Sequence, residues 1–83
     1  MPNDPGVCLE LARIYNLIGC KDKAIVILEA AARQNPHNHV VLRDLGIAYM
    51  STDRRKALEN LQESLRLNPN QNKVKELIRL LER

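Results

Sequence analysis

His37 and His39 come closest to a metal-binding pattern in this sequence, because a single residue separates them. A zinc site needs three or four ligands, and no Cys-x-x-Cys or His-Glu-x-x-His motif supplies the others. The three glycines are scattered and form no phosphate-binding loop, and there is no Gly-x-Ser-x-Gly nucleophile elbow. We interpret the two histidines as exposed turn residues, and we expect no metal, no cofactor and no enzymatic activity.

The two cysteines are the other side chains with intrinsic reactivity. Cys8 and Cys20 lie 12 residues apart, which corresponds to roughly 18 Å along one helix at about 1.5 Å per residue. That separation is too great for a disulfide bond between them. We interpret Cys8 as a small core residue and Cys20 as a loop thiol.

The charged residues are spread along the chain. Thirteen basic residues stand against ten acidic ones, a net charge of +3, and aromatic residues make up only 2% of the sequence. The densest basic run, residues 54–56, could form a patch with Lys21 and Lys23, but Asp22 and Asp53 lie within the same stretches and dilute it. Nucleic-acid binders usually combine a concentrated basic stripe with aromatic stacking residues. We therefore expect no nucleic-acid partner.

The length and composition favour one small helical domain. The chain has 83 residues with two Tyr and no Trp or Phe, so its core must be built from aliphatic side chains and Ala. The N-terminal residues lack the regions of a signal peptide. No apolar run approaches the roughly 20 residues that span a bilayer. We expect a cytoplasmic protein without a membrane segment.

The elements that would position any functional residue come from an internal duplication. Pro36 and Pro69 lie 33 residues apart, and each ends a similar pattern. The pattern consists of a large apolar residue with a small neighbour, a tyrosine, a small and then a large apolar residue, and Asn-Pro. One copy is Leu42, Leu45-Gly46, Tyr49, Ala57, Leu61, Ser64 and Asn68-Pro69, and the other is Cys8, Leu11-Ala12, Tyr15, Ala24, Leu28, Ala31 and Asn35-Pro36.

This period and residue order resemble the tetratricopeptide repeat (TPR) family. The resemblance covers nearly the whole chain, and it implies an all-α fold in which antiparallel helix pairs stack into a right-handed superhelix. It divides the single domain, residues 1–83, into a first repeat at about 5–38, a second at about 39–70 and a C-terminal capping helix at about 71–83.

Helix start and stop signals agree with that division. The sequence predicts helices at about residues 5–18, 23–34, 38–50, 54–67 and 71–82. Asp4 and Asp22 are the predicted caps of the first two, and Gly19 is the predicted left-handed terminator of the first. The last helix has Val74, Leu77, Ile78 and Leu81 on one face and charged residues on most of the other. Such a polar outer face is what closes a repeat stack.

The resemblance also implies a function and a site. TPR domains typically bind a peptide or partner segment in a concave groove lined by the first helix of each pair. The matching positions here are Leu9, Arg13, Asn16, Leu17, Val40, Arg43, Ile47 and Met50. Arg13 and Arg43 would recognise a carboxylate. Leu9, Ile47 and Met50 would accept an apolar side chain. Chaperone-binding members have Lys and Asn where this chain has Leu9 and Arg13, and Asn where it has Asp44, so we expect no chaperone-tail adaptor.

The alternative function is a structural or self-associating part of a longer solenoid. Val7, Ile14 and Ile18 share one face of the first helix, and Ile25 and Val26 lie nearby in sequence. The matching residues of the second repeat are expected to pack on the helix before them. A contiguous apolar patch of this kind is seldom left open on a monomer. Either further repeats precede it, or two copies of the chain form a homodimer through it about a two-fold axis.

Overall fold

The computed structural model describes residues 4–83, and within that range it contains five α-helices and no β-strand. Connections of three or four residues join them. The helices are α1 (Pro5–Leu17), α2 (Lys21–Gln34), α3 (His39–Tyr49), α4 (Arg54–Leu67) and α5 (Asn72–Leu81). The predicted all-α class is confirmed, and every predicted helix is present with ends that differ by two residues or fewer.

Three helices begin at side chains that accept hydrogen bonds from backbone amides of the first turn. Asp4 caps α1, Asn38 caps α3 and Asp53 caps α4, with oxygen-to-nitrogen distances of 2.8–3.2 Å. Gly19 follows α1 with φ at 82°, a left-handed conformation that costs glycine little. The predicted cap at Asp4 and the predicted stop at Gly19 are therefore both present.

The start of α2 differs from the prediction. Asp22 is not its cap, because the helix begins at Lys21 and its N-cap is Cys20, which makes no side-chain capping bond. Gly19 reverses the chain tightly, so helical geometry resumes two residues earlier than expected. Asp22 lies in the first turn of α2, where its negative charge is favourable near the positive end of the helix dipole.

Helix α3 lies at the centre of the packing. It contacts α1, α2 and α4, and its buried residues are Val41, Leu42, Leu45, Gly46, Ala48 and Tyr49. The approach to α4 is closest at Gly46. A Cβ atom there would lie 2.7 Å from Leu61 Cγ and 3.2 Å from the Ala57 carbonyl oxygen. Glycine at this position therefore sets how closely α3 and α4 pack.

The duplicated sequence positions make similar contacts in the two halves of the chain. The ammonium of Lys23 lies 5.7 Å from the centre of the Tyr15 ring, and that of Lys56 lies 5.4 Å from the Tyr49 ring. Both distances are within the range of a cation–π interaction. The sequence repeat therefore has a counterpart in side-chain geometry.

Helix α5 covers the end of the core. Val74, Ile78 and Leu81 are buried, and Leu81 lies at the helix end. The Arg54 guanidinium donates a hydrogen bond to the carbonyl oxygen of Leu81, an acceptor that the C-terminus of a helix leaves without an intrahelical donor. It donates a second one to the backbone oxygen of Arg83, beyond the helix end. Arg54, the first residue of the basic run, therefore has a structural partner on α5.

A buried polar network joins α3, α4 and α5 at Ser64, which is fully buried. The Ser64 hydroxyl donates to the His39 carbonyl oxygen at 2.7 Å. The Gln71 side-chain amide donates to the carbonyl oxygens of Ser64 at 2.9 Å and Asn68 at 2.8 Å. These bonds fix the connection before α5, because one amide group ties the end of α4 to the loop that follows it.

Ser64→Ala is expected to lower the free energy of unfolding by about 1–2 kcal/mol, because a buried hydrogen bond between two helices is lost. Urea denaturation followed by circular dichroism measures the change. Ser51→Ala is the matched control, since the Ser51 hydroxyl accepts an exposed hydrogen bond from Lys21 at 2.8 Å, and its loss is expected to cost less than about 0.5 kcal/mol. Equal denaturation midpoints for the two variants would contradict the role assigned to Ser64.

Candidate partner-binding cleft

The main candidate site is a cleft between α1 and α3, with a floor supplied by α2. Its volume is about 410 Å³. The lining residues are Leu9, Glu10, Ala12, Arg13 and Asn16 of α1, Leu28 of α2, and Val40, Arg43, Asp44 and Ile47 of α3. Caps at Asp4 and Asn38 set the starts of the two wall helices, so the walls present their side chains in a fixed register.

Six of the eight groove residues predicted from the sequence line this cleft. They are Leu9, Arg13, Asn16, Val40, Arg43 and Ile47. Leu17 and Met50 are not among its lining residues. Leu17 is the last residue of α1 and is 74% exposed, while Met50 follows α3 and packs against the main core. Both lie at a helix end, where the chain turns away from the cleft.

Both arginines of the cleft already have a carboxylate neighbour. Arg13 donates to Glu10, one turn earlier on α1, and Arg43 Nε donates to Asp44 Oδ1 at 3.1 Å. The hydrogen bond to Glu10 raises the pKa of the Arg13 guanidinium. The cleft therefore has two positive and two negative side chains, so it is charge-balanced rather than basic.

Neither Glu10 nor Asp44 is among the groove residues predicted from the sequence, although both line the cleft. The signal was present, because each carboxylate lies within three residues of an arginine assigned to the groove. What the sequence does not reveal is the side-chain rotamer that brings each pair together. Both pairs retain substantial solvent exposure, and such ion pairs contribute about 0–1 kcal/mol. An external carboxylate can therefore replace either acid at small cost.

The apolar part of the cleft lies between the ion pairs. Ile47 is 45% exposed, and Leu9 and Val40 are half-buried. Ala12 and Leu28 form a floor of buried side chains. This surface suits one aliphatic side chain of a ligand, because part of the contact area is already held in place by the core.

The histidines do not form a site. His37 is exposed, but His39 is the first residue of α3 and is half-buried, so its interpretation as an exposed turn residue is wrong. The His39 imidazole Nε2 lies 3.1 Å from Asn68 Nδ2. Across residues 4–83 no group of three or more His, Cys, Asp or Glu side chains is arranged to hold a metal ion.

All three predicted self-association residues are exposed: Val7 and Ile14 lie on α1, and Ile18 is its C-cap. Leu11, which the sequence pattern equates with the buried Leu45, is exposed beside them at 43%. Ile25 is half-buried against the main core. The apolar surface of α1 is therefore more continuous than the sequence predicts, and the adjoining contribution of α2 comes from Val26.

Comparison with known proteins adds no family assignment, because neither a protein-family model nor a curated protein matches this chain. Within residues 4–83, no helix is both long and apolar enough to cross a bilayer.

Proposed function

We propose that this protein is a TPR-type interaction module of the cytoplasm, built as a right-handed stack of two helix pairs and a capping helix. We propose further that it binds an extended partner segment in the cleft between α1 and α3. The observation that carries the proposal is that six side chains from two matching helices of the duplicated sequence line one cleft. No cofactor, nucleic acid or catalytic step enters the proposed function.

The proposed ligand is a peptide with an acidic residue next to a large aliphatic one. Its carboxylate takes the place of Asp44 or Glu10 at an arginine, forming a charge-assisted hydrogen bond. Its aliphatic side chain covers Ile47 and the buried floor. One bound peptide can make both contacts at once, because the ion pairs and the apolar residues line the same cleft.

Selection of random peptides displayed on phage tests this function directly. We expect the enriched peptides to share Asp or Glu within a few positions of Leu, Ile or Met. Nuclear magnetic resonance then locates the bound peptide, and we expect the largest shift changes at Leu9, Val40 and Ile47. Selection that enriches no peptide, or shift changes confined to α5, would reject the cleft as the binding site.

Two variants of opposite effect test the arginine pairing. Arg43→Ala is expected to weaken binding of a selected acidic peptide about tenfold, or about 1.4 kcal/mol, because a charge-assisted bond is lost. Asp44→Asn is expected to strengthen the same binding severalfold, because it removes the carboxylate that competes for Arg43. Isothermal titration calorimetry measures both changes.

Arg55→Glu is the control for net charge, since Arg55 is exposed on α4 and is not a lining residue of the cleft. It is expected to change affinity far less than Arg43→Ala. If Arg55→Glu abolished binding while Arg43→Ala did not, the ligand would bind the basic start of α4 instead.

A second candidate function is assembly into a larger helical solenoid. One separate observation favours it, namely the run of exposed aliphatic side chains along α1. No helix within residues 4–83 covers that run, whereas the matching face of α3 is buried inside the chain.

A further inference from the structure

Three exposed aliphatic side chains of α1 and that of its C-cap residue, Ile18, have the spacing of a coiled-coil seam. Val7, Leu11, Ile14 and Ile18 lie four, three and four residues apart, which is the alternation of heptad positions a and d. Their exposed fractions are 41%, 43%, 45% and 65%. We call these four residues the α1 seam. Seam spacing is a property of helices that pack against another helix along their length.

Helix α3 shows the same kind of face in a covered state. The residues of α3 that match the first three seam positions are Val41, Leu45 and Ala48, with exposed fractions of 0%, 4% and 4%. Val41 packs in a cluster with Cys8 and Ala31, so the face of α3 is covered by the preceding helix pair. The α1 seam therefore has the residue types of a helix-covered face, and no helix of residues 4–83 covers it.

The seam does not overlap the cleft. Cleft residues Leu9, Arg13 and Asn16 follow another stripe of α1, and Cys8 and Ala12 of a third stripe point into the core. At about 100° per residue, the seam and the cleft stripe are centred roughly 160° apart around the helix. A helix bound to the seam therefore leaves the cleft accessible.

The net charges of the helices indicate which of them packs on the α1 seam of another copy. Helix α1 contains one acid and one base, Glu10 and Arg13, which pair with each other. Helices α4 and α5 each contain two more basic than acidic residues. A second α1 therefore brings no net charge to the seam. Stacking of α5 on the seam would instead place a basic helix against an apolar face.

We propose that two copies of this chain pair through the α1 seam, with the two α1 helices antiparallel about a two-fold axis. In that register Leu11 faces Ile14 of the partner subunit, and Val7 faces Ile18 of the partner subunit. Val26 of α2, 63% exposed, lines a shallow pocket with Tyr15 of α1 and adds apolar surface on the second helix. A helix of 13 residues is only about 20 Å long, so the interface lies at the small end of stable dimers. The pairing is therefore concentration-dependent.

Analytical ultracentrifugation of the whole chain over a wide concentration range tests the pairing. We expect a reversible dimer whose dissociation constant rises at least about a hundredfold in Ile14→Glu, because two carboxylates are then buried per dimer without a partner. Leu80→Glu is the matched control, since Leu80 is a similarly exposed aliphatic residue on α5, at 53%. It is expected to leave the dissociation constant unchanged. Circular dichroism verifies that both variants keep their helices.

A mixture of two variants tests the antiparallel register. Leu11→Lys and Ile14→Glu are each expected to be monomeric alone, and together they are expected to form a heterodimer, because the lysine of one chain faces the carboxylate of the other. Parallel helices would not bring these positions together. A chain that stays monomeric at every concentration overturns the proposal, as does a dimer that Ile14→Glu leaves intact or that Leu80→Glu dissociates.

Discussion

Gly46→Leu is expected to lower the free energy of unfolding by about 3 kcal/mol, which is a large part of the stability of so small a domain. Any Cβ at this position meets Leu61 Cγ at 2.7 Å and the Ala57 carbonyl oxygen at 3.2 Å. The first contact is with a side chain buried at 0% exposure, and the second is with backbone. Helices α3 and α4 must therefore move apart to accept a leucine, and urea denaturation measures the cost.

A pair of Gly→Ala substitutions separates this overpacking from helix propensity. Alanine is favoured over glycine in a helix by about 1 kcal/mol, and a Cβ at Gly6 meets only the exposed Asp4 Oδ1, at 3.3 Å, so Gly6→Ala is expected to be close to neutral. Gly46→Ala is expected to destabilise by about 1–2 kcal/mol despite the same gain in propensity. A stabilising effect of Gly46→Ala would contradict the close packing of α3 and α4 at this position.

The fold could be predicted well wherever a local signal sets it. Asp4 and Gly19 begin and end α1 through the hydrogen bond and the positive φ that their residue types favour. The start of α2 could not be located in the same way, because Cys20 offers no capping bond and the helix begins through the geometry of the preceding turn. Local chemistry therefore predicts helix ends only where a side chain participates.

The cleft could be predicted in position but not in charge. The register of the repeat assigns Arg13 and Arg43 to one groove, and both line the cleft, because helical spacing fixes which face a residue occupies. The net electrostatic character depends on Glu10 and Asp44, whose pairing is a matter of rotamers. Side-chain rotamers depend on the neighbouring residues in the folded structure, which the sequence pattern alone does not specify.

On the apolar face of α1, matching positions of the sequence repeat do not have the same burial. Leu11 matches Leu45 in the repeat, yet Leu11 is 43% exposed and Leu45 is 4% exposed. Both residues have the same local helical environment, so the difference comes from the helix pair packed in front of α3. Burial is a property of the neighbour as much as of the residue, which is why a repeat pattern alone cannot predict it.

Leu61→Ala is expected to lower the free energy of unfolding by about 2–5 kcal/mol, because it removes a fully buried side chain from the centre of the core. Leu28 is the matching residue of the first repeat and is 1% exposed, so Leu28→Ala provides a reference for the same chemical change. Leu28 also lies at the floor of the open cleft, where water can fill part of the space that truncation creates. We expect Leu28→Ala to cost less than Leu61→Ala.

Combining Leu61→Ala with Gly46→Ala tests the contact itself. The atoms nearest to a new Cβ at residue 46 are Cγ and Cδ2 of Leu61, at 2.7 and 2.9 Å, and truncation of Leu61 removes both. The double variant is therefore expected to be more stable than the sum of the two single changes predicts, by about 1–2 kcal/mol, since residues in contact show coupling of this size. Additive effects within about 0.5 kcal/mol would mean that residues 46 and 61 do not share a packing site. A Gly6→Ala and Leu61→Ala double variant should be additive, because α1 and α4 meet at neither position.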